Sequence, residues 1–254
     1  MIKIGCAAYS YRELLAKGSM RYEDFIEEVY RMKLDGVELT LYWLPSMEGI
    51  YLRELKRFAL FRGLPIYAAG TSCNFCQPEV KEREKQIAEM KKWVDVAQEL
   101  GAPCLRIFGG RVPEGHTEAQ ATQWAIEALK SCTDYAEDKG VVLALENHGG
   151  VTMKADNLIK IVKEVNSKWL AITLDVGNYR GEIYDEIAKT APYAVNVHAR
   201  QREDTGLDYT RIKSILEQVG YNGFVSIEYE GKEPAKTGVP KEAKYLLDLF
   251  GRPS

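Results

Sequence analysis

Short apolar runs alternate with longer amphipathic stretches along the whole chain, the pattern of parallel strands joined by helices. The first strand is expected at Ile2 to Ala8, and the first helix at Tyr22 to Lys33, with Phe25, Ile26, Val29 and Met32 on one face. A second strand follows at Gly36 to Thr40, then a helix near Tyr51 to Phe61 that stops at Gly63, and a third strand at Leu64 to Ala69. A charged helix from Glu79 to Leu100 stops at Gly101 before a fourth strand at Pro103 to Phe108. Thr117 has the chemistry of an N-cap for a helix reaching Asp138, and Gly140 closes it one residue before the fifth strand. Further helices are predicted near Lys154 to Val165, Tyr184 to Lys189, Tyr209 to Val219 and Lys241 to Phe250.

These make eight strand-helix units with an asymmetry of connections. Helix-to-strand joins are tight, as at Gly63, Gly101-Ala102 and Gly140, whereas strand-to-helix joins are long and polar, as in Gly109 to His116, Ala199 to Asp208 and Tyr229 to Val239. That is the asymmetry of a single-domain (β/α)8 TIM barrel over residues 1–254, with its active-site loops gathered at the C-terminal face. An open doubly wound sheet would need a glycine-rich phosphate turn after an early strand. The first strand runs instead into Tyr9-Ser10-Tyr11-Arg12.

Four strands carry the same punctuation. Val141-Val142-Leu143-Ala144-Leu145 runs straight into Glu146-Asn147-His148-Gly149-Gly150; Leu170 to Leu174 ends in Asp175, Ala194 to Val197 in His198, and Phe224 to Ile227 in Glu228. Strand side chains alternate in direction, so an inward Glu146 puts Ala144 beneath it, and the same parity puts Thr173, Asn196 and Ser226 beneath the other three. Small residues below leave a cavity in which three carboxylates and an imidazole converge. Such carboxylates repel one another unless a divalent cation offsets their charge. The expected cofactor is therefore one divalent metal ion held by Glu146, Asp175, His198 and Glu228. Mostly hard oxygen donors favour Mn²⁺ first, with Mg²⁺, Co²⁺ or Zn²⁺ as alternatives, and leave about two positions for a chelating substrate.

Composition narrows the partners. With 254 residues, 46% of them hydrophobic, and no Pro/Ser/Gly-rich linker, one large core is expected. A net charge of −3 offers no basic surface for phosphates, so nucleic acid is not expected as a partner. No stretch has the roughly 18 uninterrupted apolar residues of a membrane span, so no membrane partner and a cytoplasmic location are expected. The five scattered cysteines are expected as free thiols. The expected partner is a small sugar or polyol, and the sequence leaves a homo-oligomer open.

The motifs Leu145-Glu146-Asn147, Leu174-Asp175-Val176-Gly177, Val197-His198 and Ile227-Glu228 resemble the xylose isomerase-like TIM-barrel superfamily of sugar isomerases, ketose 3-epimerases, hydroxypyruvate isomerase and inosose dehydratase. The resemblance spans the whole chain. It implies an isomerase or epimerase in which the residues matching Glu146 and Glu228 are ligands and acid/base groups on opposite faces of the substrate, with the metal stabilising an enediolate. Those matching Asp175 and His198 only hold the ion. Two positions depart from relatives: Asn178 stands where several carry His, and Asp204 where several carry Arg, with Arg200 and Arg202 nearby. These departures make β-elimination by a dehydratase or lyase the alternative activity. A phosphodiesterase of the apurinic endonuclease type needs a trinuclear zinc cluster, for which His116, His148 and His198 are too few.

Other residues are weighed around this set. His148 shares the parity of Glu146 and joins the catalytic candidates; Arg106, Arg200 and Asn178 are the candidate substrate-binding residues. Glu38 reads as a structural pairing rather than a catalytic group, and no basic residue on the last four strand cores is available to pair the four ligands. Cys73-Asn74-Phe75-Cys76 has the spacing of half a zinc site without a second half, so it reads as a pocket-lining loop acting through Phe75. Tyr9, Tyr11, Tyr42, Trp43 and Tyr179 are aromatic candidates for stacking on a sugar, and Lys81 to Lys92 reads as a solvated helix face.

Overall fold

A buried strand must pair its backbone on both sides, and eight of them in sequence satisfy this by closing on themselves. In a computed structural model, which describes residues 1–200 and 206–251, the strands pair in the order β1 to β8, and β8 returns to β1 in parallel register, Gly5 opposite Ser226. The strands are β1 (Lys3–Ala7), β2 (Gly36–Thr40), β3 (Ile66–Gly70), β4 (Cys104–Ile107), β5 (Val142–Glu146), β6 (Leu170–Asp175), β7 (Ala194–Ala199) and β8 (Phe224–Ile227). Around them lie α1 (Arg12–Ala16), α2 (Tyr22–Arg31), α3 (Gly49–Leu60), α4 (Val80–Leu100), α5 (Glu118–Lys139), α6 (Ala155–Val165), α7 (Ile183–Thr190), α8 (Tyr209–Gln218) and α9 (Ala235–Leu249). The expected (β/α)8 barrel is the observed fold.

Local signals set most helix ends. Gln120 donates its amide to Thr117 Oγ1 at 3.2 Å and returns its side-chain oxygen to the Thr117 amide at 2.9 Å, a reciprocal cap on α5. Gly101 and Gly140 end α4 and α5 in the left-handed conformation that a side chain disfavours. Two elements differ from expectation. α1, five residues long, is too short to show a period, and α9 begins at Ala235 although Pro240 lies inside it. Its first turn is held by Thr237 and Gly238 donating to Pro234 O, so the missing proline amide does not end the helix.

The core has two layers. Between barrel and helices lie Phe25, Ile26 and Val29 of α2, Met90 and Val94 of α4, and Leu158 and Ile161 of α6, all buried. Inside the barrel, Tyr67 stacks on Phe224 with centroids 3.7 Å apart and donates to Ser226 Oγ at 2.6 Å. Tyr67 crosses the bore because β1 offers Gly5, where a Cβ would come within 2.4 Å of its ring. The floor is filled, and the open volume lies at the C-terminal mouth. Among the described residues, no helix is long and apolar enough to cross a membrane.

Candidate active site

Glu146 and Asp175 are the last residues of β5 and β6, His198 sits near the end of β7, and Glu228 follows β8 directly. Barrel register staggers them: Glu146 lies opposite Thr173, Asp175 opposite His198, and His198 opposite Ser226. Asn147 ties the β5 and β6 ends together, donating to Asp175 O and accepting from the Asp175 amide, both at 2.8 Å. Beneath the four lie Ala144, Thr173, Asn196 and Ser226, fully buried and small. Glu146, Asp175 and His198 each offer a ligand atom within 4.8 Å of the others'. Glu228 Oε2 stands 3.5 Å from His198 Nδ1, at the edge of this group of three.

Glu146 Oε2, His198 Nδ1 and Glu228 Oε2 are buried without a well-formed hydrogen bond, though each lies at ion-pair distance from Arg106, Arg200 or another member of the cluster. Buried polar atoms are rarely left so, because each forfeits its hydration. A carboxylate oxygen, an imidazole nitrogen and a second carboxylate oxygen turned inward are a donor set for a hard or borderline divalent cation. The residues therefore fit the expected ion.

The expectation that nothing basic pairs these carboxylates is corrected. Arg106, at 3% exposure on β4, places Nε 3.1 Å from Glu146 Oε2 and donates to Thr71 O at 2.9 Å. Arg200, one residue past β7, places Nε 3.2 Å from Asp175 Oδ2 and 3.0 Å from Glu228 Oε2, and its NH2 group reaches Glu230. Arg106 reaches the cluster from a neighbouring strand and Arg200 from beyond a strand end, positions that reading β5 to β8 alone does not cover. Gly70 makes room for the first: a Cβ there would meet the Arg106 guanidinium at 2.9 Å.

Glu38 forms a further pairing in the cluster. Both its oxygens stand 3.0 Å from His198 Nε2, and Asn196 donates to Oε2 at 2.9 Å, so a β2 carboxylate spans the bore to β7. The pairing expected of Glu38 is thus with His198, and it turns Nδ1 toward the cluster. Burial pushes the Glu38 carboxyl up, but His198, Arg106 and Asn196 outweigh it and hold it below its ordinary value. Burial pushes His198 down, while Glu38 and Glu228 outweigh it and raise the imidazole well above its ordinary value. For Asp175 burial wins: despite Arg200, its carboxyl lies well above the usual range, with Glu228 and Glu146 adding to the rise. Burial opposes ionisation of Glu228 too, yet His198, Arg200 and Arg106 hold it low. With all four of Glu38, Glu146, Asp175 and Glu228 ionised, the negative charge would exceed what Arg106, Arg200 and a protonated His198 neutralise, and burial together with that excess raises the Asp175 carboxyl. A divalent ion beside a neutral His198 removes that excess.

The remaining candidates divide. His148 Nδ1 is 2.9 Å from Glu146 Oε1, its ring stacked on Phe108 at 4.3 Å. Asn178 donates to Asp175 Oδ2 at 2.9 Å and Glu146 Oε1 at 3.3 Å, and accepts from Arg200 at 2.7 Å. Arg106, Arg200 and Asn178 are all engaged with the carboxylates themselves. Tyr9 and Trp43 stack at 5.8 Å, with Tyr42 edge-on to Trp43, whereas Tyr11 and Tyr179 are buried in packing rather than exposed at the mouth. Phe75 is also wholly buried, so Cys73 and Asn74, not Phe75, line a cavity. All five cysteines are free thiols. Arg202 and Asp204 lie outside the described residues.

A family model for the xylose isomerase-like TIM barrel matches residues 26–249. The chain belongs to that family. An uncharacterized protein of Methanocaldococcus jannaschii is 22% identical over 228 residues, covering 80% of this chain and 77% of that one. The 2-oxo-tetronate isomerase of Haemophilus influenzae is 26% identical over 178 residues, covering 62% and 69%. Among solved structures, D-psicose 3-epimerase with D-tagatose from Clostridium cellulolyticum superimposes with a TM-score of 0.81 over the full length of both chains at 19% identity, a likeness of fold. The xylose isomerase-like family thus covers β2 to β8, which carry all four candidate ligands.

Proposed function

We propose that the chain is a divalent-metal-dependent isomerase or epimerase that moves a proton at the carbon beside a carbonyl in a small sugar-like substrate. The observation that carries the reading is the buried convergence of Glu146, Asp175 and His198, whose ligand atoms lie within 4.8 Å of one another at neighbouring strand ends. Similar proteins named as an isomerase and a 3-epimerase agree with the reaction class. Glu146, Asp175, His198 and Glu228 would hold the ion, Mn²⁺ being the best match to mostly oxygen donors. Bound there, the ion supplies Lewis acidity at the substrate carbonyl.

The chain's own residues do the rest. Glu146 and Glu228 rise from β5 and β8, three strands apart around the barrel, and so reach a substrate from different sides. One takes the proton and the other returns it. Arg200 holds Glu228 and Asp175 in position, and Arg106 holds Glu146, which fixes each carboxylate before substrate arrives. His148, against Glu146 Oε1 and half exposed, is positioned to exchange a proton with it.

Protein purified without chelator should carry close to one equivalent of a divalent metal by elemental analysis. Metal-loaded protein should exchange the α-proton of a bound keto sugar with D₂O. Glu228→Gln, which keeps shape and one oxygen, should slow that exchange roughly 10²- to 10⁴-fold. Protein that stays metal-free after incubation with Mn²⁺, Co²⁺ and Zn²⁺ sinks the metal reading, and wild-type exchange in metal-loaded Glu228→Gln removes Glu228 from the mechanism. Loss of water from the substrate in the same assay would identify a lyase.

A further inference from the structure

A second cavity, of about 210 Å³, opens beside Glu146 between the loops that follow β3, β4 and β5. Its walls include Cys73, Asn74, Phe108, Arg111, His148 and Thr152, together with glycines of the β4 and β5 loops. Those loops meet backbone to backbone: a Cβ on Gly150 would fall 2.0 Å from Gly110 O, and one on Gly110 would fall 2.1 Å from Asn74 Oδ1. Only glycine permits that approach.

The electrostatics of this cavity differ from those of its surroundings. The four ligand positions are carboxylate-rich, Glu230 pairs with Arg200, and the cavity beside β1 and β8 mixes Glu13 and Glu233 with Arg12, Lys232 and Lys236. The β3–β5 cavity has no acidic residue in its lining, and Arg111 makes no ion pair among the described residues. His148 joins the two regions, with Nδ1 on Glu146 and its ring against Phe108. A substrate whose reacting carbons lie at Glu146 therefore places its next one or two carbons along the His148–Phe108 wall. The volume is below the roughly 300 Å³ of a complete small-molecule site, and matches an end group rather than a whole hexose.

We infer that this cavity receives an anionic end group of the substrate, a carboxylate or a phosphate, with Arg111 as its counter-charge. The inference rests on the isomerase or epimerase reading and narrows its substrates to acidic α-hydroxyketones. A planar guanidinium fits either group through two parallel hydrogen bonds.

Three small probes differ only at that end: dihydroxyacetone is neutral, hydroxypyruvate carries a carboxylate, and dihydroxyacetone phosphate a phosphate. Calorimetry on the metal-loaded full chain should show one of the two anions binding about 10- to 100-fold more tightly than dihydroxyacetone. Which anion is favoured assigns carboxylate or phosphate. Arg111→Gln should abolish the preference, Arg111→Lys should keep part of it, and dihydroxyacetone should bind all three proteins alike. Equal binding of the three probes by the wild type overturns the inference, as does an anion preference that survives Arg111→Gln. Solvent-deuterium exchange on the same samples reads the reaction separately. Exchange without anion preference leaves the isomerase reading standing and ends this one, while Arg111-dependent anion binding without exchange does the reverse.

Discussion

At the scale of single residues the site is a matter of which atoms lack partners and which partners hold them. Glu38 lies outside the ligand set, yet it is the only residue among those described that both grips His198 Nε2 and reaches it across the bore. A carboxylate behind a metal-binding imidazole fixes its orientation and basicity, and such partners are typically worth 10- to 100-fold in metal affinity. Glu38→Gln should weaken ion binding by about that factor in equilibrium dialysis with the far-ultraviolet circular dichroism unchanged; unaltered affinity would make Glu38 a packing residue. The cysteines make a separate prediction. Burial pushes the thiols of Cys6, Cys73, Cys76 and Cys132 up to about 12, from an ordinary value near 9. A thiol raised in the folded state contributes its full stability below the unfolded value and loses it as pH climbs from about 9 toward 12. At pH 8 a thiol reagent should label the buried Cys6, Cys76, Cys104 and Cys132 slowly in the native protein and all five cysteines rapidly in denaturant, Cys73 in the cavity wall being half-buried. Rapid native labelling would mean these side chains open to solvent.

At the scale of elements, strand ends and the residues next to them decide the geometry. β3 ends in Gly70, and the space it leaves is filled by the Arg106 guanidinium from β4. Gly70→Ala should push Arg106 off Glu146, lowering turnover at least tenfold while the barrel still melts cooperatively; a fully active variant would show that the Arg106–Glu146 contact is dispensable. Helix ends were more legible. Thr117 and Gln120 cap α5 through hydrogen bonds within four residues, and Gly101 and Gly140 terminate helices through their own backbone freedom, so composition alone marks them. α9 was less so, because its first turns pack Gly238 against the Tyr229 ring, a contact that no helical spacing records.

For the whole molecule, closure of the sheet creates one mouth where four strand ends meet, and the charge gathered there ties the cofactor to stability. An ion bound to the native state alone at about 100 times its dissociation constant adds about 2.7 kcal/mol, or roughly 5–10 °C in Tm for a chain this long. Chelation should lower the midpoint by that order, and re-addition of Mn²⁺ should restore it. An unchanged midpoint after verified removal would mean that Arg106 and Arg200 already balance the carboxylates.

Periodicity along the chain determined the eight units, since a buried strand and an amphipathic helix each write their spacing locally. The same periodicity, with one polar residue closing each of four strands, marked Glu146, Asp175, His198 and Glu228 as candidates, and three of them come together in space. Parity added the small residues below them. What only the tertiary structure decided is how those charges are balanced. Glu38 meets His198 at a separation of 160 residues, and Arg106 meets Glu146 across neighbouring strands whose register no local pattern records. Coulomb and hydrogen-bond partners are chosen by distance in space, and closure of the barrel, rather than any stretch of sequence, sets those distances.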